Sequence, residues 1–176
     1  MKKSIILIAA MFMTSVMTFA QKVIRVSTDK TDLVMKVSPK GRLYQVYLGD
    51  KFLNPADYDN LKWDVYAASD GAVCQRGHEV YATSGAEDYF EPAVAVTHAD
   101  GNMTTYLYYQ SSEQKAVEGG TETVITLKDK VYPLTVKLHY VAYAKENVIK
   151  AWSEISHKEK APITLWRYSS TMLYFK

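Results

Sequence analysis

The acidic-aromatic run Glu87-Asp88-Tyr89-Phe90-Glu91 is where this sequence comes nearest to chemistry. Enzymes that cleave glycosidic bonds with retention use two carboxyl groups about 5–5.5 Å apart across the scissile bond. Successive residues of an extended segment point to opposite faces, so Glu87 and Asp88 do not form such a pair from a strand. Glu87 and Glu91 converge only if a special loop brings them together. The acids are therefore read as turn caps or as partners of Arg76. Glu87, Asp88, Tyr89 and Phe90, with Trp63, are the candidate residues for contact with a sugar, a neighbouring domain or a second subunit.

Other chemistries find less support. Cys74 has no histidine beside it and reads as a small, partly buried thiol. The four histidines, at 78, 98, 139 and 157, lack metal-ligand spacing, so no metal is expected. His98 and His139 fall in strands and are read as hydrogen-bonded structural groups. Gly119-Gly120 has no strand–loop–helix context for a phosphate, and no serine sits in a nucleophile elbow. No catalytic residue and no cofactor is expected.

The elements that must position these residues begin after a leader. Lys2 and Lys3 precede an apolar run from Ile5 to Val16, and Thr18-Phe19-Ala20 supplies small residues for a signal peptidase. Residues 1–20 are thus read as a signal peptide, cut between Ala20 and Gln21, which makes the protein periplasmic or secreted. The apolar run is shorter than the roughly 20 residues of a spanning helix. Of 21 basic and 19 acidic residues, Lys2 and Lys3 leave with the leader, so residues 21–176 are electrically balanced. That balance argues against nucleic acid or an anionic membrane surface as a partner. A single cysteine provides no internal disulfide, and the fold must rest on an ordinary core.

Residues 21–176 read as one all-β domain, an antiparallel β-sandwich. Fourteen tyrosines and three tryptophans suit pleated surfaces. Alternating strands are expected over Val23–Ser27, Leu33–Val37 and Leu43–Leu48, with turns at Asp29-Lys30, Pro39-Lys40-Gly41 and Gly49-Asp50-Lys51. A polar loop with one helical turn follows at 54–60, then a long excursion over 70–91, of the kind that covers another domain. Ala93–His98 and Thr104–Tyr109 are expected to form a hairpin about Asp100-Gly101. Gly119-Gly120 opens the turn before Thr123–Leu127. Three long strands finish the chain: 134–141, 148–155 and 163–175. Trp152 and Trp166 lie in the last two and are read as core residues, since large aromatics are mostly buried. The final Met172-Leu173-Tyr174-Phe175-Lys176 is apolar and in mid-pattern, which suggests a sandwich still incomplete at its C-terminus.

The order of these segments resembles glycoside hydrolase family 36. The resemblance is carried by Tyr89-Phe90-Glu91-Pro92-Ala93 leading to the His98-Ala99-Asp100-Gly101 turn. It continues through Leu134–Tyr140, Glu146-Asn147-Val148-Ile149 and Pro162–Ser170. It covers residues 23–176 and is nearest to secreted α-galactosidases of Bacteroides type. It implies the N-terminal, galactose-mutarotase-like supersandwich of a retaining α-galactosidase that hydrolyses terminal α-galactosides as a homo-oligomer. The catalytic aspartates of that family lie on a (β/α)8 barrel, for which this sequence has no counterpart. The resemblance thus implies a fragment inactive alone, exposing an apolar or aromatic surface where the barrel or a neighbouring subunit belongs. A free-standing carbohydrate-binding module, with Trp63 as its stacking platform, is the alternative. A mutarotase-like enzyme is weaker, because the paired histidines and glutamate of that chemistry are not found.

Overall fold

Alternation of apolar and polar residues sets the first sheet. In the computed structural model, which describes residues 22–61, 79–85 and 91–175, β1 (Val23–Ser27) buries Ile24 and Val26 and exposes Val23 and Arg25. It pairs antiparallel with β2 (Thr31–Val37), and β2 with β3 (Leu43–Asp50), giving the order β1-β2-β3. The three predicted strands are all present, β2 and β3 slightly longer than expected. An extra residue, Val46, bulges β3 where the register passes from Val34–Tyr47 to Met35–Gln45.

β2 is buried on both faces, although it carries Asp32 and Lys36. The predicted helical turn explains this. α1 (Asp57–Asn60) lays Tyr58 over β2, and the Tyr58 hydroxyl donates to Asp32. Phe52 bridges the rings of Tyr47 and Tyr58, with centroids 4.5 and 4.9 Å away. Lys36 Nζ donates to the carbonyls of Asp59 (3.1 Å) and Leu61 (2.5 Å), groups that the end of a helix leaves unpaired. Burial holds the Lys36 ammonium below the ordinary lysine pKa, with the Asp59 charge opposing.

Among the described residues the second sheet has four strands in sequential order: β5 (Leu107–Val117), β6 (Gly120–Asp129), β7 (Leu134–Tyr143) and β8 (Val148–His157). All pairs are antiparallel. Gly119, at φ +73°, provides the left-handed residue in the tight turn between β5 and β6. The inner face carries Ile125, Leu127, Leu134, Val136, Leu138, Tyr140 and Ala142, which join Ile24, Val26, Leu33, Met35 and Val37 in one core. The protein is an all-β antiparallel sandwich, as the sequence indicates.

Three expectations need correction. The Asp100-Gly101 turn forms locally, with the His98 N–H donating to Asn102 O at 2.8 Å. It joins no hairpin, however: β4 (Val94–Thr97) pairs with β9 (Thr164–Tyr168), some 70 residues away in sequence, and not with β5. Val94 and Val96 belong to the core, and that burial outweighs the local turn signal. The last strand is five residues long, because the chain leaves the ladder after Tyr168. The excursion over 70–91 is also not wholly external. Val80, Tyr81 and Ala82 are buried, and Arg42 pairs with Glu79 at 2.7 Å with both side chains buried.

Lys36 gives the fold a direct test. Replacing it by methionine keeps most of the stem but leaves two carbonyls without their donor. Lys36→Met should cost roughly 1–3 kcal/mol, seen as a lower urea midpoint with the m value unchanged.

Candidate functional site

β9 is a strand whose five residues are all exposed. Its register with β4 runs Tyr168–Val94, Arg167–Ala95, then Leu165–Val96. Trp166 is therefore the extra residue of a bulge. A bulge bends the strand and re-aims the side chain that it carries. The Trp166 ring stands 67% exposed, and its indole N–H donates to the Thr97 hydroxyl at 2.7 Å. Arg167 is held by an ion pair with Glu91. Glu91, Pro92, Arg167, Tyr168, Ser169 and Met172 surround a hollow of about 470 Å3.

The chain after β9 crosses from this strand to the first sheet. Ser169 O accepts from the hydroxyls of Ser153 (2.8 Å) and Tyr81 (2.7 Å). Gln45 binds the backbone of Tyr174 twice, donating to its carbonyl at 2.7 Å and accepting from its N–H at 3.2 Å. Met172 packs against the core. Around these anchors side chains remain outside: Leu165, Trp166, Tyr168, Leu173 and Phe175 are half of the large apolar residues exposed among the described residues. Two exposed aromatics stand on β9, Trp166 and Tyr168, and a third, Phe175, after it. Trp166 is thus not the core residue expected from its strand, because β9 is exposed on both faces. Trp152 is only half-buried, stacked on His139 on the outer face of the second sheet at 4.6 Å.

The expected structural role of His98 and His139 is met. His98 Nδ1 lies 2.8 Å from a Glu159 carboxylate oxygen and Nε2 2.9 Å from the Thr105 hydroxyl, and the ring stacks on Tyr132 at 3.5 Å. Carboxylate, imidazole and hydroxyl follow one another as in a nucleophilic relay. Yet Thr105 is wholly buried and His98 nearly so, leaving a substrate no approach. His139 Nδ1 bonds Glu122 at 2.8 Å, and Lys115 meets the other Glu122 oxygen at 2.9 Å. His139 and Glu122 come from neighbouring strands β7 and β6, and Glu159 and His98 from the segments after β8 and β4, pairings that no spacing in the sequence announced. Trp63, Glu87, Asp88, Tyr89 and Phe90 lie outside the described residues, as do Cys74, Arg76 and His78. Among the described residues no group of His, Cys, Asp and Glu is placed to hold a metal ion.

Glu159 makes the relay testable by pH. Burial pushes its carboxyl pKa up, but the Ala99 N–H and His98 outweigh burial and hold it below the ordinary 4.5. A carboxylate depressed in this way contributes stability above its unfolded pKa and loses it as pH falls through the folded value. Glu159→Gln should therefore be less stable than wild type at pH 7. The gap should narrow as denaturant titrations are moved below about pH 4.5.

Residues 41–176 match the family described as Glycosyl hydrolase family 36 N-terminal domain. The fold is similar to the α-galactosidase of Lactobacillus brevis, with TM-score 0.69 and 20% identity over 88% of this chain and 24% of that one. It is also similar to the family 36 α-galactosidase AgaA of Geobacillus stearothermophilus in complex with 1-deoxygalactonojirimycin, with TM-score 0.71 and 22% identity over 85% and 24%. The galactosidase domain of the α-galactosidase-sucrose kinase AgaSK gives TM-score 0.68 and 21% identity over 85% and 24%. The chain thus spans about a quarter of the length of these structures. The comparison with curated proteins found no match.

Proposed function

As the chain belongs to the glycosyl hydrolase family 36 N-terminal domains, we propose that it is the non-catalytic β-sandwich of a secreted α-galactosidase. Its task is to pack against a catalytic domain that hydrolyses terminal α-galactosides. The observation that carries this reading is the exposed run on β9 and the chain after it, from Leu165 to Phe175. Tyrosine and tryptophan each bury about 150–250 Å2 when covered, so Trp166 and Tyr168 alone would anchor a docked domain. Their position suits that use, because β9 and the Gln45–Tyr174 contacts tie the exposed side chains to both the β4 ladder and the first sheet. The catalytic carboxylates belong to the docked domain in this reading. The two carboxylate–histidine pairs described above, Glu159–His98 and Glu122–His139, are buried and structural.

The exposure of Trp166 also supports the carbohydrate-binding alternative, since a tryptophan presented on a bulge can stack on a sugar ring. One set of measurements separates the two. The purified chain should not hydrolyse p-nitrophenyl α-galactoside. It should bind the apolar dye ANS, and Trp166→Ser with Tyr168→Ser should reduce that binding by about half or more without lowering thermal stability. Galactose, melibiose and raffinose should leave tryptophan fluorescence unchanged. Absence of dye binding would sink the docking surface. A saturable response to a galactoside that disappears in Trp166→Ser would make the domain a sugar-binding module instead.

A further inference from the structure

The turn after β4 carries the one Asp-Gly pair among the described residues, Asp100-Gly101. Gly101 stands at φ +88°, where glycine is favoured, so the pair is built into the turn. Such a pair has a chemistry of its own. The Gly101 amide nitrogen can attack Cγ of the neutral Asp100 carboxyl, because glycine has no side chain to hinder the approach. A C–N bond forms, the carboxyl C–OH bond breaks, and the hydroxyl leaves as water with the amide proton. The product is a five-membered succinimide. Water then opens the ring. Attack at Cγ returns aspartate, whereas attack at the main-chain carbonyl gives isoaspartate, whose chain runs through Cβ and Cγ. The mass is unchanged, but the main chain is one carbon longer.

Both reacting groups are restrained. Asp100 Oδ1 accepts from the Asn102 N–H at 3.0 Å, and Oδ2 accepts from the Tyr132 hydroxyl at 2.9 Å. These two bonds hold the Asp100 carboxyl below its ordinary pKa, so the neutral form that loses water is scarce at neutral pH. The Gly101 N–H is itself occupied, donating to His98 O at 2.9 Å. Of these partners only Tyr132 comes from outside the turn. It is placed from two sides: its N–H and that of Val131 donate to Asp129 Oδ1 at 2.9 and 2.7 Å, and its ring stacks on His98. Removing the Tyr132 hydroxyl would free one carboxylate oxygen and leave the turn and the stacked ring in place.

We propose that Asp100-Gly101 is a site of spontaneous isoaspartate formation, guarded by the Tyr132 hydroxyl, whose conversion unfastens Glu159 from the turn after β4. The same turn holds the Ala99 N–H 2.9 Å from one Glu159 oxygen while His98 Nδ1 meets the other at 2.8 Å. It closes through the His98 N–H and Asn102 O at 2.8 Å. An extra carbon between residues 100 and 101 breaks that closure, and Ala99 and His98 then no longer meet Glu159 together. The site uses residues 98–159 and does not depend on the docking reading above.

Ageing the purified chain at neutral pH, well below its melting temperature, tests this. Isoaspartate is read by enzymatic methylation of tryptic peptides. Residues 77–115 form one peptide, separate from residues 63–76, which hold the second Asp-Gly pair, Asp70-Gly71. Tyr132→Phe should accumulate isoaspartate at position 100 roughly threefold or more faster than wild type. The chain unfolded in urea should also convert faster than the folded wild type. Lys36→Met lowers stability without touching the turn and should convert at the wild-type rate, which separates a local guard from general loosening. The converted chain, isolated by chromatography, should melt below the unconverted one, as Glu159→Gln does at pH 7. A Tyr132→Phe chain that converts no faster than wild type overturns the proposal, and so does equal acceleration in Lys36→Met. A folded wild type that converts at the unfolded rate, or a converted chain that melts like the unconverted one, overturns it as well.

Discussion

The structure depends on covering the inner face of the β5–β8 sheet. That face is apolar along its length, and the three strands of the first sheet supply only part of its cover. The rest comes from residues 79–85, from the β4–β9 pair and from the chain after β9. Tyr81 shows the arrangement: its ring is buried, while its hydroxyl lies 3.1 Å from the Ser153 hydroxyl of β8 and 2.7 Å from Ser169 O. Tyr140 lies under the same cover, and burial pushes its phenol up to about 12. β4 turns Val94 and Val96 to the core, and its partner β9 receives no second layer. The exposed aromatics of β9 follow from that position in the sandwich.

Strands that bury one face were legible from alternation, and β1 has the limits read from the sequence. The second half of β5 was missed. Residues 110–115 are polar and mostly exposed, so they carry no apolar period, and their pairing with β6 holds them extended. The choice of β9 as partner for β4 was not legible either, because a turn at Asp100-Gly101 satisfies local rules whichever strand pairs beyond it. Trp166 shows the same limit on a smaller scale. Composition puts a tryptophan in the core, whereas both faces of β9 lie open and leave Trp166 outside.

The charged groups inside the sandwich were harder to foresee than the apolar ones. Lys36, Asp32, Arg42 and Glu79 are all buried in or beside strands of the first sheet. A buried charge is costly unless it is paired and hydrogen-bonded. Here each partner comes from a distant segment: α1 for Asp32 and Lys36, and residue 79 for Arg42. The sequence places these charges without naming their partners. They tie the irregular segments to the sheet in one arrangement, since each segment must arrive to satisfy a charge already fixed on a strand.

The Glu159–His98–Thr105 group shows why geometry alone does not make a site. Its distances, 2.8 and 2.9 Å, are those of a working relay. Catalysis also needs a reacting atom to reach the hydroxyl, and Thr105 has no exposed surface. Its backbone is occupied on both sides: the carbonyl accepts from the Thr83 hydroxyl, and the N–H donates to Ser84 O. What the group does is fasten the segment after β8 to the turn after β4, because the second Glu159 oxygen takes the Ala99 N–H at 2.9 Å. That fastening lies just ahead of β9, where the chain leaves the second sheet to join β4. The histidine serves the domain by fixing where β9 begins, and the aromatic surface of β9 depends on that position.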